Sequence, residues 1–340
     1  MKAAFVKPGA DLEVSECPTP EPGRGEVVVK IAYCGICGSD IHLLEAGVLP
    51  AGSIIGHEQS GHVETIGDGV EDWNEGDPAV VIPYNPCLSC EPCRNGHVQL
   101  CNDAGKRSYG LGANPGGFGQ YMLVKSSMLF RVPEGLDMKT AALTEPWAVA
   151  VHGVNMLDSK IGSVGLIMGA GPIGLLCIYA LKMAGAAGIY VSEPDKYRAD
   201  KAEAAGADAV IDPTANDPGI AIRQMAGRAP DYVIDCAGTE SSTQSAASIV
   251  GTRGQVLVLG VHLGSANLIP PVCIMKEVQL NFGFGYNFRE FADSLKLLAR
   301  GAVDPEIIIS DVIPLGEIDG AFKSLKETGH SKILIDCQDV

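Results

Sequence analysis

At 340 residues the chain is long enough for two domains with full cores. Hydrophobic residues make up 46% and charged residues 19%, an ordinary globular balance, and a formal charge of −16 without any basic stripe argues against nucleic acid as a partner. Residues 1–8 hold no apolar signal core and no run reaches membrane-spanning length, so a cytoplasmic protein with no membrane partner is expected. The first 150 or so residues are rich in Gly, Pro and short β-like runs such as Glu26-Val27-Val28-Val29-Lys30-Ile31, with turn signals every ten or so residues. That texture predicts an irregular, mostly antiparallel β domain. From about Ser163 apolar strands alternate with helix-period segments. Strands are expected to begin near Leu166, Ile189, Ala209, Tyr232, Val256 and Val278, with helices at 173–184, Lys196–Ala205 and Ser242–Ile249 among them. This cadence specifies a doubly wound parallel α/β sheet of about six strands. A helix at Phe288–Ala299, another with Ile318, Phe322 and Leu325 on its apolar face, and a strand at 332–335 complete the chain. Because six strands already fill the nucleotide fold, this tail is expected to return to the first domain. The resulting units are 1–150, 151–286 and 287–340.

The chain has 11 cysteines, an odd number, and four of them form Cys87-x2-Cys90-x2-Cys93-x7-Cys101. Two-residue gaps bring successive sulfurs around tight turns, and the longer excursion returns the fourth to complete a tetrahedron. Four thiolates suit zinc and leave no open position, which points to a structural role for the lobe at about 85–105. The alternatives are two disulfides or unpaired core cysteines, but metal spacing and an odd count fit a reducing compartment. Cys17, Cys177, Cys236, Cys273 and Cys337 read as small buried hydrophobes. A second donor set is spread along the chain: Cys34-Gly35-Ile36-Cys37-Gly38-Ser39-Asp40-Ile41-His42, then Gly56-His57-Glu58, then Glu145-Pro146-Trp147. Thiolate, imidazole and carboxylate ligands with a water would form the open site that Lewis-acid catalysis needs. Spacing alone leaves Cys34 and Cys37 as competing ligands. His62, His97 and His330 have no identifiable partner.

Gly169-Ala170-Gly171-Pro172-Ile173-Gly174 follows an apolar strand and opens a helix, and Glu193 ends the next strand 19 residues after Gly174. The glycines permit a tight turn, close approach to a pyrophosphate and close helix–strand packing, with the helix amino terminus facing the phosphates. A carboxylate at 193 can accept hydrogen bonds from the adenosine ribose hydroxyls and repels a 2′-phosphate, favouring NAD over NADP. Lys196 and Arg198 lie where either could reach a phosphate.

In combination the CGICGSDIH segment, GHE, the four-Cys lobe, EPWAVAVH, GAGPIG and the terminal KILI strand resemble the zinc-containing medium-chain dehydrogenases, nearest the sorbitol and butanediol dehydrogenase branch, over essentially the whole length. The resemblance implies a GroES-like catalytic domain joined to a Rossmann domain, with the active site between them. It implies two zincs per subunit, with Cys37 and His57 as catalytic ligands, Cys34 reduced to packing, and Glu58 and Glu145 as carboxylates that bind the metal or its water. Asp40 matches the carboxylate that orients the ligand histidine. By the same resemblance Ser39 accepts the alcohol proton and passes it through the cofactor ribose towards His42, while hydride moves to the nicotinamide. A homo-oligomer is implied, a tetramer before a dimer.

The expected reaction is oxidation of a secondary alcohol to a ketone, with a small alcohol or ketone as partner. Where polyol members carry Tyr after the relay histidine this chain has Leu43, and where they read Phe-Arg-Tyr it reads Phe284-Gly285-Tyr286. With Trp147 as a further bulky ring, these features favour a less polar alcohol, cyclic or branched, because an apolar pocket does not repay desolvation of several hydroxyls. The alternatives are a polyol, diol or threonine dehydrogenase, or a non-catalytic NAD-binding protein on the same fold.

Overall fold

The structure is a computed structural model that describes residues 1–9, 11–158, 161–325 and 329–340. Six parallel strands form one sheet in the spatial order Ala209–Ile211, Gly188–Ser192, Val164–Met168, Tyr232–Asp235, Gln255–Val258 and Gln279–Phe282. In sequence order this is 3-2-1-4-5-6, the doubly wound nucleotide-binding arrangement. The strand starts lie within two residues of those expected. Leu166, Ile167, Val233, Ile234, Val256 and Leu257 are fully buried, as both faces of a parallel sheet between helices require.

The other large sheet has seven strands. Its centre is Glu26–Gly35, which pairs antiparallel with Glu58–Ile66, Tyr121–Lys125 and Lys332–Asp336. The tail strand Ile309–Pro314 lies parallel beside Lys332–Asp336 at the edge, so the carboxy-terminal segment joins the amino-terminal sheet.

Helices Thr144–Asn155 and Phe288–Ala299 pack on each other and belong to both halves of the molecule. Ala148, Phe291 and Leu295 lie in the core of the seven-stranded sheet with Tyr286, whereas Trp147, Ala150, Val154 and Leu298 lie in the core of the parallel sheet. The boundary expected at 150 falls inside the first of these helices, which runs on to Asn155.

Among the other cysteines, Cys177 and Cys337 are buried, but Cys17, Cys236 and Cys273 are only half-buried, unlike the fully buried hydrophobes expected. Cys17 follows a strand of a two-stranded sheet and Cys273 lies in a short helix with no buried residue, positions that a sequence reading by residue type does not distinguish from core. None of the eleven cysteines forms a disulfide in this structure. No helix among the described residues is long and apolar enough to cross a membrane.

Candidate active site

Three strand ends and one helix start converge at one end of the seven-stranded sheet. Gly35 ends its strand directly opposite Glu58, the first residue of the neighbouring strand. A methyl group at Gly35 would overlap Glu58 Oε2, so the glycine makes room for that carboxylate. Cys37 caps the helix Gly38–Glu45, and His57 precedes Glu58. The donor atoms of Cys37, His57 and Glu58 all lie within 4.8 Å of one another. Cys34, the alternative thiol, is buried in the core, where burial raises its pKa well above the ordinary thiol value.

Asp40 ties the first two donors together. One carboxylate oxygen accepts a hydrogen bond from the Cys37 backbone N–H at 3.0 Å, and the other lies 3.1 Å from His57 Nδ1. Among the described residues neither Asp40 Oδ1 nor His57 Nδ1, both buried, has an aligned hydrogen bond, and the two face each other at 3.1 Å. With Nδ1 facing Asp40, Nε2 is the nitrogen available to a metal. Burial by itself would lower the His57 pKa, but Asp40 and Cys37 reverse this and hold it well above the ordinary value.

Lys332 and Tyr286 are the two residues that sequence reasoning missed. The Lys332 ammonium donates to both Glu58 oxygens at 2.6 Å and to the Ile36 carbonyl at 2.8 Å, and both side chains are fully buried. Burial would lower its pKa, but the Glu58 charge holds it above the ordinary lysine value. A lysine opening the apolar run Ile333-Leu334-Ile335 of the terminal strand was the signal available. Tyr286, also buried, donates from its hydroxyl to Glu145 Oε1 at 2.8 Å, and Tyr84 donates to the Tyr286 carbonyl. Glu145 stands beside the cluster without being one of the three donors within 4.8 Å. Burial pushes its pKa up to about 7, with His57 opposing and Glu58 reinforcing the shift.

Ser39 and His42 share the helix Gly38–Glu45 at a spacing of three, which puts them on one face. Ser39 is half-buried next to Cys37 and Asp40, and His42 is exposed, so the pair runs from the donor cluster outwards. Trp147 does not wall this site. It is fully buried in the core of the parallel sheet, because it lies two positions beyond Glu145 and therefore on another side of the helix.

In the lobe, the sulfurs of Cys87, Cys90, Cys93 and Cys101 lie within 4.8 Å of one another. The Cys87 N–H donates to Cys101 Sγ and the Cys90 N–H to Cys87 Sγ, both at 3.3 Å. Hydrogen bonds from Ser89 and Cys90 pull Cys87 down to about 6, while burial pushes Cys93 up to about 12. Backbone donors aimed at sulfur favour the thiolate at Cys87 and Cys90, and four sulfurs so close together can surround one cation. The donor set therefore fits zinc.

At the carboxyl end of the parallel sheet, Gly169 has φ +93° and opens the loop to helix Pro172–Ala184. Glu193 is buried, accepting from the Ala170 N–H at 2.6 Å and the Asp195 N–H at 2.9 Å. Arg198 Nε donates to the His330 carbonyl at 3.4 Å, and Lys196 is ion-paired with Asp200. His62 and His97 are exposed and His330 is half-buried.

The pattern described as alcohol dehydrogenase GroES-like domain matches residues 23–134, and that described as zinc-binding dehydrogenase matches residues 172–300. The 2-dehydro-3-deoxy-L-galactonate 5-dehydrogenase of Pseudoalteromonas atlantica is 34% identical over 93% of both chains. The chain belongs to the zinc-dependent medium-chain dehydrogenases. Its sorbitol- and butanediol-dehydrogenase-like character is carried by relatives such as the sorbitol dehydrogenase of Bombyx mori, 32% identical over 99% of both chains. Among solved structures, a zinc-binding dehydrogenase of Sinorhizobium meliloti 1021 bound to NADP superposes with a TM-score of 0.92, 31% identity and 98% coverage of both chains. The dehydrogenase is thus an oxidoreductase with a GroES-like domain and a Rossmann domain, as expected from its motifs.

Proposed function

We propose that the dehydrogenase oxidises a secondary alcohol to a ketone, reversibly, with NAD as hydride acceptor and with zinc at the Cys37–His57–Glu58 cluster. The observation that carries this reading is the convergence of thiol, imidazole and carboxylate on one point, with Asp40 behind and Glu145 beside them. Bound zinc supplies charge stabilisation at the substrate oxygen, and bound NAD supplies the electron-pair acceptor. Cys37, His57 and Glu58 would hold the metal, with Glu145, steadied by Tyr286, as the further carboxylate beside them. Asp40 fixes the His57 tautomer. Ser39 takes the alcohol proton and His42 releases it to solvent, the direction in which their exposure rises. Ser39→Ala is accordingly expected to lower kcat by roughly 10²-fold or more with zinc content unchanged. Equal turnover in steady-state assays would remove Ser39 from the relay.

NAD is favoured because Glu193 places a buried carboxyl group just after the second strand, while Lys196 and Arg198 are engaged elsewhere. In the lobe Cys87, Cys90, Cys93 and Cys101 hold the second zinc, as a structural ion. For the substrate, half-buried Leu43 and the side-chain-free Gly285 still support a relatively apolar, cyclic or branched alcohol, whereas buried Trp147 no longer contributes to that argument. A polyol, diol or sugar-acid substrate is the second reading, favoured by the substrates in the relatives' names.

A homo-oligomer is supported by Gln279–Phe282, the edge strand of the parallel sheet, which leaves its outer side open and Phe282, Phe284 and Met275 exposed around it. One experiment tests these points together. Purified protein is assayed for metal content, for mass by light scattering, and for reduction of NAD+ and NADP+ with cyclic, branched, diol, polyol and 3-hydroxy amino acid substrates. Two zincs per subunit and NAD+ reduction by a cyclic or branched alcohol are expected. Sorbitol as the best substrate would overturn the apolar reading, and no reduction with any alcohol would overturn the activity itself.

A further inference from the structure

His152 lies on the helix that begins with Thr144 and Glu145, seven residues beyond Glu145. Seven residues are two turns, so the two side chains share a face about 10 Å apart along the axis. On the facing segment Tyr286 and Glu290 are four residues apart, with Asn287 capping the helix Phe288–Ala299 between them. The two segments are joined by two rungs. The first is Tyr286 Oη to Glu145 Oε1 at 2.8 Å, and the second is His152 Nδ1 to Glu290 Oε2 at 2.8 Å.

Glu290 is the hub of the second rung. It also accepts from Asn155 Nδ2 at 3.2 Å and from the Asn287 N–H at 3.0 Å, and Asn287 is the residue next to Tyr286. Fixing Glu290 on His152 therefore fixes the helix amino terminus from which Tyr286 projects. The same two helices contribute to both hydrophobic cores, so their relative register is shared by both halves of the molecule. The His152 and Glu290 side chains are 15% and 14% exposed, shielded enough for the contact to hold geometry, where a surface pair would not.

We propose that His152 is a positioning residue for the active site: with Glu290 it sets the register of the two paired helices and thereby places the Tyr286 hydroxyl on Glu145. This rests on the alcohol dehydrogenase reading only for its kinetic consequence.

The test compares the zinc-loaded full-length protein with His152→Ala, His152→Gln and Tyr286→Phe, and with His152→Leu, which keeps volume should the alanine variant fail to fold. Crystal structures of His152→Ala or His152→Leu are expected to show the Tyr286 hydroxyl beyond 3.5 Å from Glu145, about the limit for a hydrogen bond. A retained contact near 2.8 Å would overturn the proposal whatever the activity. With the alcohol giving the fastest NAD+ reduction, kcat is expected to fall roughly 10- to 100-fold while the KM for NAD+ stays constant. His152→Gln, whose amide can donate to Glu290, is expected to restore most of it. In a Tyr286→Phe background His152→Ala is expected to have no further effect on kcat, since both act through one contact. Independent, multiplicative losses would mean that His152 supports the fold alone. Absence of turnover with every alcohol would sink the functional reading and leave the crystallographic comparison to decide the positioning role.

Discussion

Replacing Lys332 by methionine is expected to destabilise the dehydrogenase by about 3 to 5 kcal/mol, the usual cost of leaving one partner of a buried ion pair uncompensated. The expectation follows from how completely the pair is enclosed. Both side chains are at most 2% exposed, and the ammonium spends its donors on two Glu58 oxygens and the Ile36 carbonyl. In the metal-free protein methionine fills the volume of the lysine stem but leaves Glu58 beside Cys37 without the Lys332 ammonium. A control separates charge from packing: Glu58→Gln combined with Lys332→Met removes both charges and is expected to recover at least half of the loss. Urea unfolding of the single and double variants measures this. A single-variant loss below about 1 kcal/mol would show that the pair contributes no more than a surface one.

His57→Ala is expected to have the larger effect on chemistry. It removes the one imidazole from the three-donor cluster and leaves Asp40 without its ring partner. Zinc content should fall from two to one per subunit, because the four thiols of the lobe form a separate donor set. The kcat/KM should fall on the order of 10³-fold or more, the equivalent of the several kcal/mol that a metal supplies to the reacting oxygen. NAD binding, measured by calorimetry, should be unchanged, since the glycine loop and Glu193 belong to the other sheet. If two zincs and full activity persist, the Cys37–His57–Glu58 cluster is not the catalytic metal site.

Much of the molecule is legible in the sequence because its signals are local. The glycine loop between strand and helix, the four-cysteine spacing and the strand–helix cadence each arise within about thirty residues, where backbone geometry fixes side-chain placement. The six parallel strands and the lobe sulfurs can be written down from those signals alone. Helix Gly38–Glu45 was not among the expected elements, although it is what sets Cys37 at its cap and places Ser39, Asp40 and His42.

The tertiary structure decided what depends on distant chain segments meeting. Lys332 reaches Glu58 across 274 residues, and Tyr286 reaches Glu145 across 141, contacts that no local period announces. Trp147 follows the same rule. Its proximity to Glu145 in sequence suggested a pocket wall, but the helical turn of about 100° per residue carries it away from the site and into the other core. Residue types and spacing thus determined which chemistry the chain can hold. Strand pairing and helix register determined which charges face one another in a medium too dry to screen them.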